Sequence, residues 1–247
     1  MATMAMRRVT RIITGMPMSI NIVTESGHAL VRLMHLVSPS LPIGSFTYSQ
    51  GIEWAVECGW VDSAESLGEW IEDQLVTSIV HLDLPVLQRL HAAAGKGDVD
   101  AMESWSQFLL ASRETAELRQ EEINRGRALA DLLVALGVPN AQAWKSVLAS
   151  CQAAGFAVAA AGWGISCGDA ARGYAWSWLE NLVLAAVKII PLGQTEGQLL
   201  LMRLAEILPD AVERSLAIDD DAIGASNPAL AIASSRHETQ YTRLFRS

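Results

Sequence analysis

Residues 62–82 read DSAESLGEWIEDQLVTSIVHL, and this stretch decides the fold class. Asp62, with Glu65 three positions later, has the spacing of a capping box, in which two side chains pair with the free backbone N–H groups at a helix start. The apolar residues that follow recur every three or four positions, which is the period of an amphipathic helix. They are Leu67, Trp70, Ile71, Leu75, Ile79 and Leu82. The stretch therefore predicts a helix with one buried face.

Similar helix starts and stops recur along the chain. Residues 113–137 (RETAELRQEEINRGRALADLLVALG) end on a glycine that favours helix termination. Thr195 and Gln198 have the spacing of a second capping box and predict another helix start. Valine and isoleucine occur at helical rather than alternating spacing, and there is no Asn-Gly or Asp-Gly hairpin turn. The prediction is an all-α fold, a single compact multi-helix bundle with a flexible N-terminal extension and a C-terminal docking tail.

The ends of the chain differ from its middle. Residues 1–21 carry three arginines and no acid, whereas the whole chain has a formal net charge of −9. No apolar core of signal-peptide length follows those arginines, so residues 1–27 are predicted to be a disordered extension. Residues 28–218 are predicted to form the helical domain, and residues 219–247 a loop and a partner-binding tail.

A long uncharged stretch lies between Lys145 and Asp169, and it is long enough to span a membrane. Alanine and glycine dominate it, with few leucine, isoleucine or phenylalanine residues, which gives a weak insertion signal. A buried helix is the favoured interpretation, and a membrane-associated helical protein remains the alternative. We expect no membrane partner.

The composition argues against several function classes. An acidic body does not suit nucleic acid, since phosphate binding needs clustered lysine and arginine. The three cysteines form no metal-ligand spacing, and the five histidines are dispersed, so we expect no metal site and no cofactor. Scattered free thiols indicate a reducing compartment, and the predicted location is the cytoplasm.

Catalytic motifs are also missing from the sequence. GISCG, residues 164–168, resembles a nucleophile elbow but joins two predicted helices, whereas that motif needs a strand before it. Glu121 and Glu122 are adjacent helical residues that point apart, and a solvated face is the favoured interpretation. The protein is therefore predicted not to be an enzyme. The alternative is an all-helical enzyme with a small-molecule cleft lined by the Trp-rich segment YAWSWLEN, residues 174–181.

The last residues, HETQYTRLFRS at 237–247, place aromatic and aliphatic side chains among arginines. Tyrosine and arginine are enriched at binding hot spots, so the tail is predicted to dock on a partner. The alternative is that its positive charge folds back on the acidic body. Upstream, Gly51 follows the helix breakers Pro39, Pro42 and Gly44. A glycine within a helix lowers its stability, which suggests that another element packs closely against this one.

Three segments taken in register resemble the urease accessory protein UreF family: LPIGSFTYSQGIEWAVE at 41–57, VKIIPLGQTEGQ at 187–198 and RHETQYTRLFRS at 236–247. The resemblance runs from about residue 30 to the end. It implies a non-catalytic, all-helical homodimer that works with UreD (also called UreH), the GTPase UreG and apo-urease. In that family UreF bridges UreD/UreH and UreG and governs GTP-dependent nickel delivery, so nickel would be held by the partners.

The resemblance also assigns candidate residues. The predicted UreD/UreH contacts are Arg236, His237, Glu238, Thr239, Gln240, Tyr241, Arg243, Leu244, Phe245 and Arg246. The predicted UreG-facing residues are Pro42, Gly44, Tyr48, Ser49, Glu53, Lys188, Pro191, Gly193 and Gln194. Arg172 and Tyr174 are predicted to serve the dimer.

Overall fold

The computed structural model describes residues 21–247, with side chains from Gly27 onward. Within this part of the chain the secondary structure is helical and contains no strand, which confirms the predicted fold class. The α-helices are α1 Asn21–Leu36, α2 Ile52–Glu57, α3 Ala64–Gln74, α4 Leu84–Lys96, α5 Val99–Ala111, α6 Ala116–Ala135, α7 Lys145–Leu148, α8 Gln152–Gly162, α9 Cys167–Ala186, α10 Gln194–Ala205, α11 Leu208–Leu216 and α12 Pro228–His237.

Helix α1 begins inside the predicted N-terminal extension. Residues 21–27 of that extension are helical, and residues 1–20 lie outside the described residues. Two short 3-10 turns, Ser45–Thr47 and Asp220–Ala222, interrupt the loops before α2 and after α11.

The helix predicted from residues 62–82 is present, with two corrections. Its capping box is shifted by one residue: the Ser63 hydroxyl accepts from the Ser66 backbone N–H, and Ser66 Oγ accepts from the Ser63 backbone N–H. Asp62 therefore lies outside the cap and accepts a hydrogen bond from Ser66 Oγ instead. After α3 the chain continues as a π-helix, Leu75–Asp83, which runs directly into α4.

Helix α8, the uncharged stretch, lies at the centre of the bundle. Residues 152–160 are all buried, and the helix packs mainly against α4 and α6. Small residues make this approach possible: a Cβ added at Gly126 would lie 2.8 Å from the Cys151 carbonyl carbon, and one at Gly155 would lie 2.9 Å from Leu129 Cδ2. The buried-helix prediction is confirmed. Among the described residues, no helix combines the length and the apolar character needed to cross a bilayer.

Helix α12 returns to the start of the domain and packs against α2 and α6. Asn227 caps it by accepting from the Leu230 backbone N–H at 2.9 Å, and its amide nitrogen reaches Asp73 Oδ2 at 2.7 Å. Gly51 is the N-cap of α2 rather than an interior residue, with φ of 79°. A Cβ there would meet Ala233 Cβ at 3.0 Å, so α12 is the element whose close packing the sequence predicted.

Candidate partner-binding surface

The C-terminal segment, residues 238–247, lies against the loop before α2 and the first turns of α2 and α6. His237, the last residue of α12, is fully buried between two carboxylates. Its Nδ1 lies 2.7 Å from Glu117 Oε2, and its Nε2 lies 3.1 Å from Glu53 Oε2. Because both ring nitrogens contact carboxylates, the imidazole joins α2 to α6 at the point where the segment begins.

Glu53 also holds the far end of the segment. Its two carboxylate oxygens accept the backbone N–H groups of Leu244 at 2.5 Å and Phe245 at 2.9 Å. The residue is 7% exposed and lies in the first turn of α2. Hydrogen bonds in which a carboxylate accepts backbone N–H groups are stronger than those between neutral groups. Glu53 is thus the residue that links both ends of the segment to the bundle.

Ser247 closes the arrangement beside the start of α2. Its carbonyl oxygen accepts from the backbone N–H groups of Ser49 at 2.5 Å and Gln50 at 3.1 Å, and from Ser49 Oγ at 2.6 Å. The Ser247 hydroxyl donates to Glu121 Oε2 at 3.0 Å, and the Arg246 backbone N–H donates to the Thr47 carbonyl at 2.8 Å. These contacts satisfy polar groups that would otherwise be buried without partners.

The segment has an inward and an outward side. Phe245 is 6% exposed, and Lys188 Nζ lies 5.6 Å from the centre of its ring. Arg243 Nη1 pairs with Glu117 Oε1 at 2.7 Å. Tyr241 is fully exposed and Leu244 is 65% exposed. The C-terminal segment is therefore folded back against the bundle, and the side chains on its outward side are exposed to solvent.

The structure brings the two predicted sets of partner-binding residues together. Tyr48, Ser49 and Glu53, predicted to face UreG, are buried beside the C-terminal segment rather than presented to solvent. Lys188 reaches the same segment through Phe245. The remaining predicted UreG-facing residues are solvent-accessible: Pro42, Pro191, Gly193 and Gln194 are exposed, and Gly44 is half-buried.

Sequence reasoning missed the part played by the acids of α6. Glu121 and Glu122 were expected on a solvated face, but they are 3% and 8% exposed, so that expectation is wrong. They do point apart. Glu121 pairs with Arg125 at 2.7 Å and accepts from Gln50 and Ser247, whereas Glu122 turns inward to Arg113. The spacing of Glu117 and Glu121, four residues apart on one helix face, was the signal that could have located this site.

The inward carboxylates form a buried ionic cluster, Asp83, Arg113 and Glu122. Arg113 Nη1 lies 3.1 Å from Asp83 Oδ2, and its Nε lies 3.2 Å from Glu122 Oε1. Burial raises the pKa of Asp83, and the charge of Arg113 only partly opposes that shift. Burial alone would lower the pKa of Arg113, but the two carboxylates raise it well above its usual value. Arg113 therefore stays charged inside the bundle.

The Trp-rich segment lies beside a cavity of about 40 Å³ that Tyr174, Ser177 and Trp178 help to line. That volume suits about one or two water molecules, whereas small-molecule pockets measure roughly 300–1,000 Å³. Trp178 is 8% exposed and donates its Nε1–H to Gln50 Oε1 at 2.9 Å, which makes it a core residue. No cleft of metabolite size opens at this segment.

The two predicted dimer residues lie in different surroundings. Tyr174 is 6% exposed and packs edge-on against Phe156, with ring centres 5.2 Å apart. Arg172 is exposed and pairs with Asp169 at 3.2 Å. Of the two, only Arg172 presents its side chain to solvent, and the dimer role of both residues stays a prediction.

Potential metal ligands do not gather in the part of the chain that the structure describes, where no group of three or more histidine, cysteine, aspartate and glutamate side chains is placed to hold an ion. Burial, the largest influence, raises the pKa of the Cys151 thiol to about 12. Cys58 is exposed.

The fold and the two-sided C-terminal segment define the class: a helical bundle whose most distinctive site is a docked peptide segment. The UreF family profile matches residues 61–205. A protein of Alcanivorax borkumensis named urease accessory protein UreF is 54% identical over 225 residues, which cover 89% of this chain and 98% of the relative.

Further relatives extend the match. A Pseudomonas putida (strain W619) protein of the same name is 52% identical over 223 residues, covering 90% of this chain and all of the relative. One from Citrobacter koseri is 46% identical over 217 residues, covering 88% of this chain and 97% of the relative. The chain belongs to the UreF family.

Proposed function

We propose that this protein is an accessory factor of urease that brings UreD/UreH and the GTPase UreG together and controls the GTP-dependent insertion of nickel into apo-urease. Membership of a family whose relatives are named urease accessory protein UreF supports the accessory role. The protein acts by contact, in the cytoplasm, and performs no catalysis of its own.

The observation that carries the proposal is the outward side of the docked C-terminal segment. Tyr241 and Leu244 are exposed, and Glu53 holds the backbone of Leu244 in place, so both side chains are available to a partner while the segment is docked. A pre-ordered segment loses less conformational entropy on binding than a disordered one. We assign these two side chains, with the exposed Arg236 and Arg246, to UreD/UreH.

The UreG surface adjoins the same segment. Lys188 contacts Phe245 from the end of α9, and Pro191, Gly193 and Gln194 follow it in the exposed turn before α10. A partner that pulls on the segment would therefore shift Lys188 as well. This adjacency supports a bridge in which the binding of UreD/UreH changes the position of residues on the UreG surface.

We assign the homodimer contact to the exposed part of α9 near Arg172, a residue that is open to solvent. Tyr174 would support that face from the core, since its ring packs against Phe156. Nickel would then be carried by the partners and reach apo-urease through the assembled complex.

The decisive experiment compares an outward-facing variant with a matched surface variant. Tyr241→Ala with Leu244→Ser should abolish capture of purified UreD/UreH and lower urease activation, with no change in Tm, since both side chains are exposed. The control is Phe108→Ala with Leu136→Ser, two exposed apolar residues on α5 and after α6.

Two results would contradict the proposal. One is normal UreD/UreH capture by the Tyr241/Leu244 variant. The other is a chain lacking residues 238–247 that melts at a lower temperature and yet binds UreD/UreH as the full chain does. In that case the segment would serve stability only.

A further inference from the structure

A groove runs along the opposite flank of the bundle, between α3 with the π-helix on one side and α10 with α11 on the other. It consists of three hollows of about 320, 190 and 410 Å³. The first two share Glu65 and Arg203, and the last two share Glu72 and Ile207. The hollows are thus consecutive parts of one channel, called here the α3–α10 groove.

The length of the groove matches a short helix. Its lining runs from Ala64 to Val76 along one wall. At about 1.5 Å per residue that distance is roughly 18 Å, or about three helical turns. Recognition of a helix in a groove uses apolar anchors at successive turns, and a channel of this length accommodates three of them.

The floor and rim of the groove are apolar. Leu200 and Leu204 are buried at its base, where α3 approaches α10 so closely that a Cβ on Gly68 would lie 3.2 Å from Leu200 Cδ1. Leu199, which lines the first hollow, is 68% exposed. A large exposed apolar side chain above buried leucines, beside an open channel, favours a partner that covers it.

The α3 wall is acidic. Glu65, Glu69 and Glu72 recur at helical spacing on one face, and all three are exposed. None of them forms an ion pair with a residue that the structure describes. Glu196 and Asp210 add acids at the two ends, against Arg203 and Arg214. The groove therefore has a net excess of negative charge, with five acids against two arginines.

We infer that the α3–α10 groove is a docking surface for a basic amphipathic helix of a partner protein, about three turns long. Its apolar face would cover Leu199 and Leu200, and its lysines or arginines would face Glu65, Glu69 and Glu72. A second copy of this chain suits the groove less well, because it would bring the same acidic wall to a contact with itself. The surface is separate from the C-terminal segment and does not depend on the function proposed above.

The test uses the full-length chain and a synthetic 14-residue peptide with leucine on one helical face and lysine on the other. We expect saturable binding that weakens with salt. Glu65→Lys with Glu69→Lys and Glu72→Lys should weaken binding about tenfold or more, as for complementary charges at an interface. The matched control, Glu103→Lys with Asp131→Lys and Asp221→Lys, makes the same charge change at exposed sites elsewhere and should alter binding less than about twofold.

A second variant separates a groove from simple charge attraction. Leu199→Ser leaves the net charge unchanged and should also weaken binding several-fold. Protection from hydrogen exchange should appear in α3 and α10 when the peptide binds the wild type. Equal losses in the two charge variants, or no loss in the serine variant, would overturn the inference. So would a self-association in sedimentation that the serine variant abolishes, because the occupant would then be a second copy.

Discussion

Two carboxylate sites on α6 hold different parts of the molecule. Glu122 turns inward, where Arg113 joins it to Asp83 at the end of the π-helix. Glu117 turns outward, where it shares His237 with Glu53 and pairs with Arg243. The first site ties helices of the bundle to one another. The second holds a segment of ten residues, in which Phe245 is the buried apolar side chain.

The two sites differ in how much of the protein unfolds when their contacts are lost. An unpaired charge inside a bundle costs free energy of folding, so the loss of one partner destabilises the whole domain. A segment held by hydrogen bonds at the surface can detach while the bundle stays folded, at a free energy below that of global unfolding. The inner site therefore governs stability, and the outer site governs access to the C-terminal segment.

Removal of the inner cation should have the largest effect. Arg113→Met leaves Asp83 and Glu122 buried with no counter-charge, and we expect the free energy of unfolding to fall by about 3–5 kcal/mol. Urea or thermal unfolding measures this loss. The control, Lys145→Met, removes the cation of an exposed pair with Asp131 and should cost less than about 1 kcal/mol. Similar losses in the two variants would contradict the contrast between the sites.

The same variant predicts a pH dependence. The pKa of Asp83 is already raised above its usual 3.8 by burial, so its contribution to stability falls as pH rises through the window above 3.8. Without Arg113, which lowers that pKa, the window extends to higher pH. Arg113→Met should therefore regain part of its lost stability between pH 7 and pH 5 relative to wild type. A constant difference over that range would show that Asp83 does not take up a proton.

An intermediate, local effect is expected at the outer site. Glu53→Gln keeps the shape of the side chain but replaces one acceptor oxygen with an NH₂ group, which cannot accept from Leu244, Phe245 or His237. Loss of such hydrogen bonds costs about 1–3 kcal/mol. Exchange of the Phe245 amide should accelerate about 10- to 100-fold, while core amides of α8 change little. Glu57→Gln, at an exposed residue that contacts Gln240, is the control.

The smallest effect should come from Arg243→Gln, which removes a half-exposed ion pair with Glu117. Pairs of this kind contribute about 0.2–1 kcal/mol, and salt screens them. Exchange at Phe245 should rise less than about fivefold at low ionic strength and match wild type in about 1 M salt. An effect as large as that of Glu53→Gln would mean that side-chain charge, rather than the backbone hydrogen bonds, holds the segment.

Much of the fold followed from the sequence because its signals are local. Capping residues, the spacing of Leu67 and Ile71, and the small residues of α8 report on neighbours within a few turns. The π-helix could not be predicted in this way, because the spacing of Leu75, Ile79 and Leu82 also suits an α-helix. The capping box was misplaced by one position because Ser63 and Ser66 compete with Asp62 and Glu65 for the same role.

The candidate site was harder to predict, since its contacts join residues far apart in the chain. Glu53 and His237 are separated by 184 positions, and Ser49 and Ser247 by 198. The resemblance marked both ends of this site but assigned them to different partners. Glu117, which holds His237, lay in a stretch that charge spacing alone describes as a solvated helix.

The π-helix between α3 and α4 has a consequence for the whole rod from Ala64 to Lys96. Each π-helical residue rotates the chain by a smaller angle than an α-helical one, so the azimuth of the side chains is offset between the two ends. The same continuous rod can then aim Glu65, Glu69 and Glu72 outward at one end and Leu84, Leu87 and Leu90 into the interior at the other. The π-helix thus sets the angle between the outward-facing side chains of α3 and the inward-facing side chains of α4.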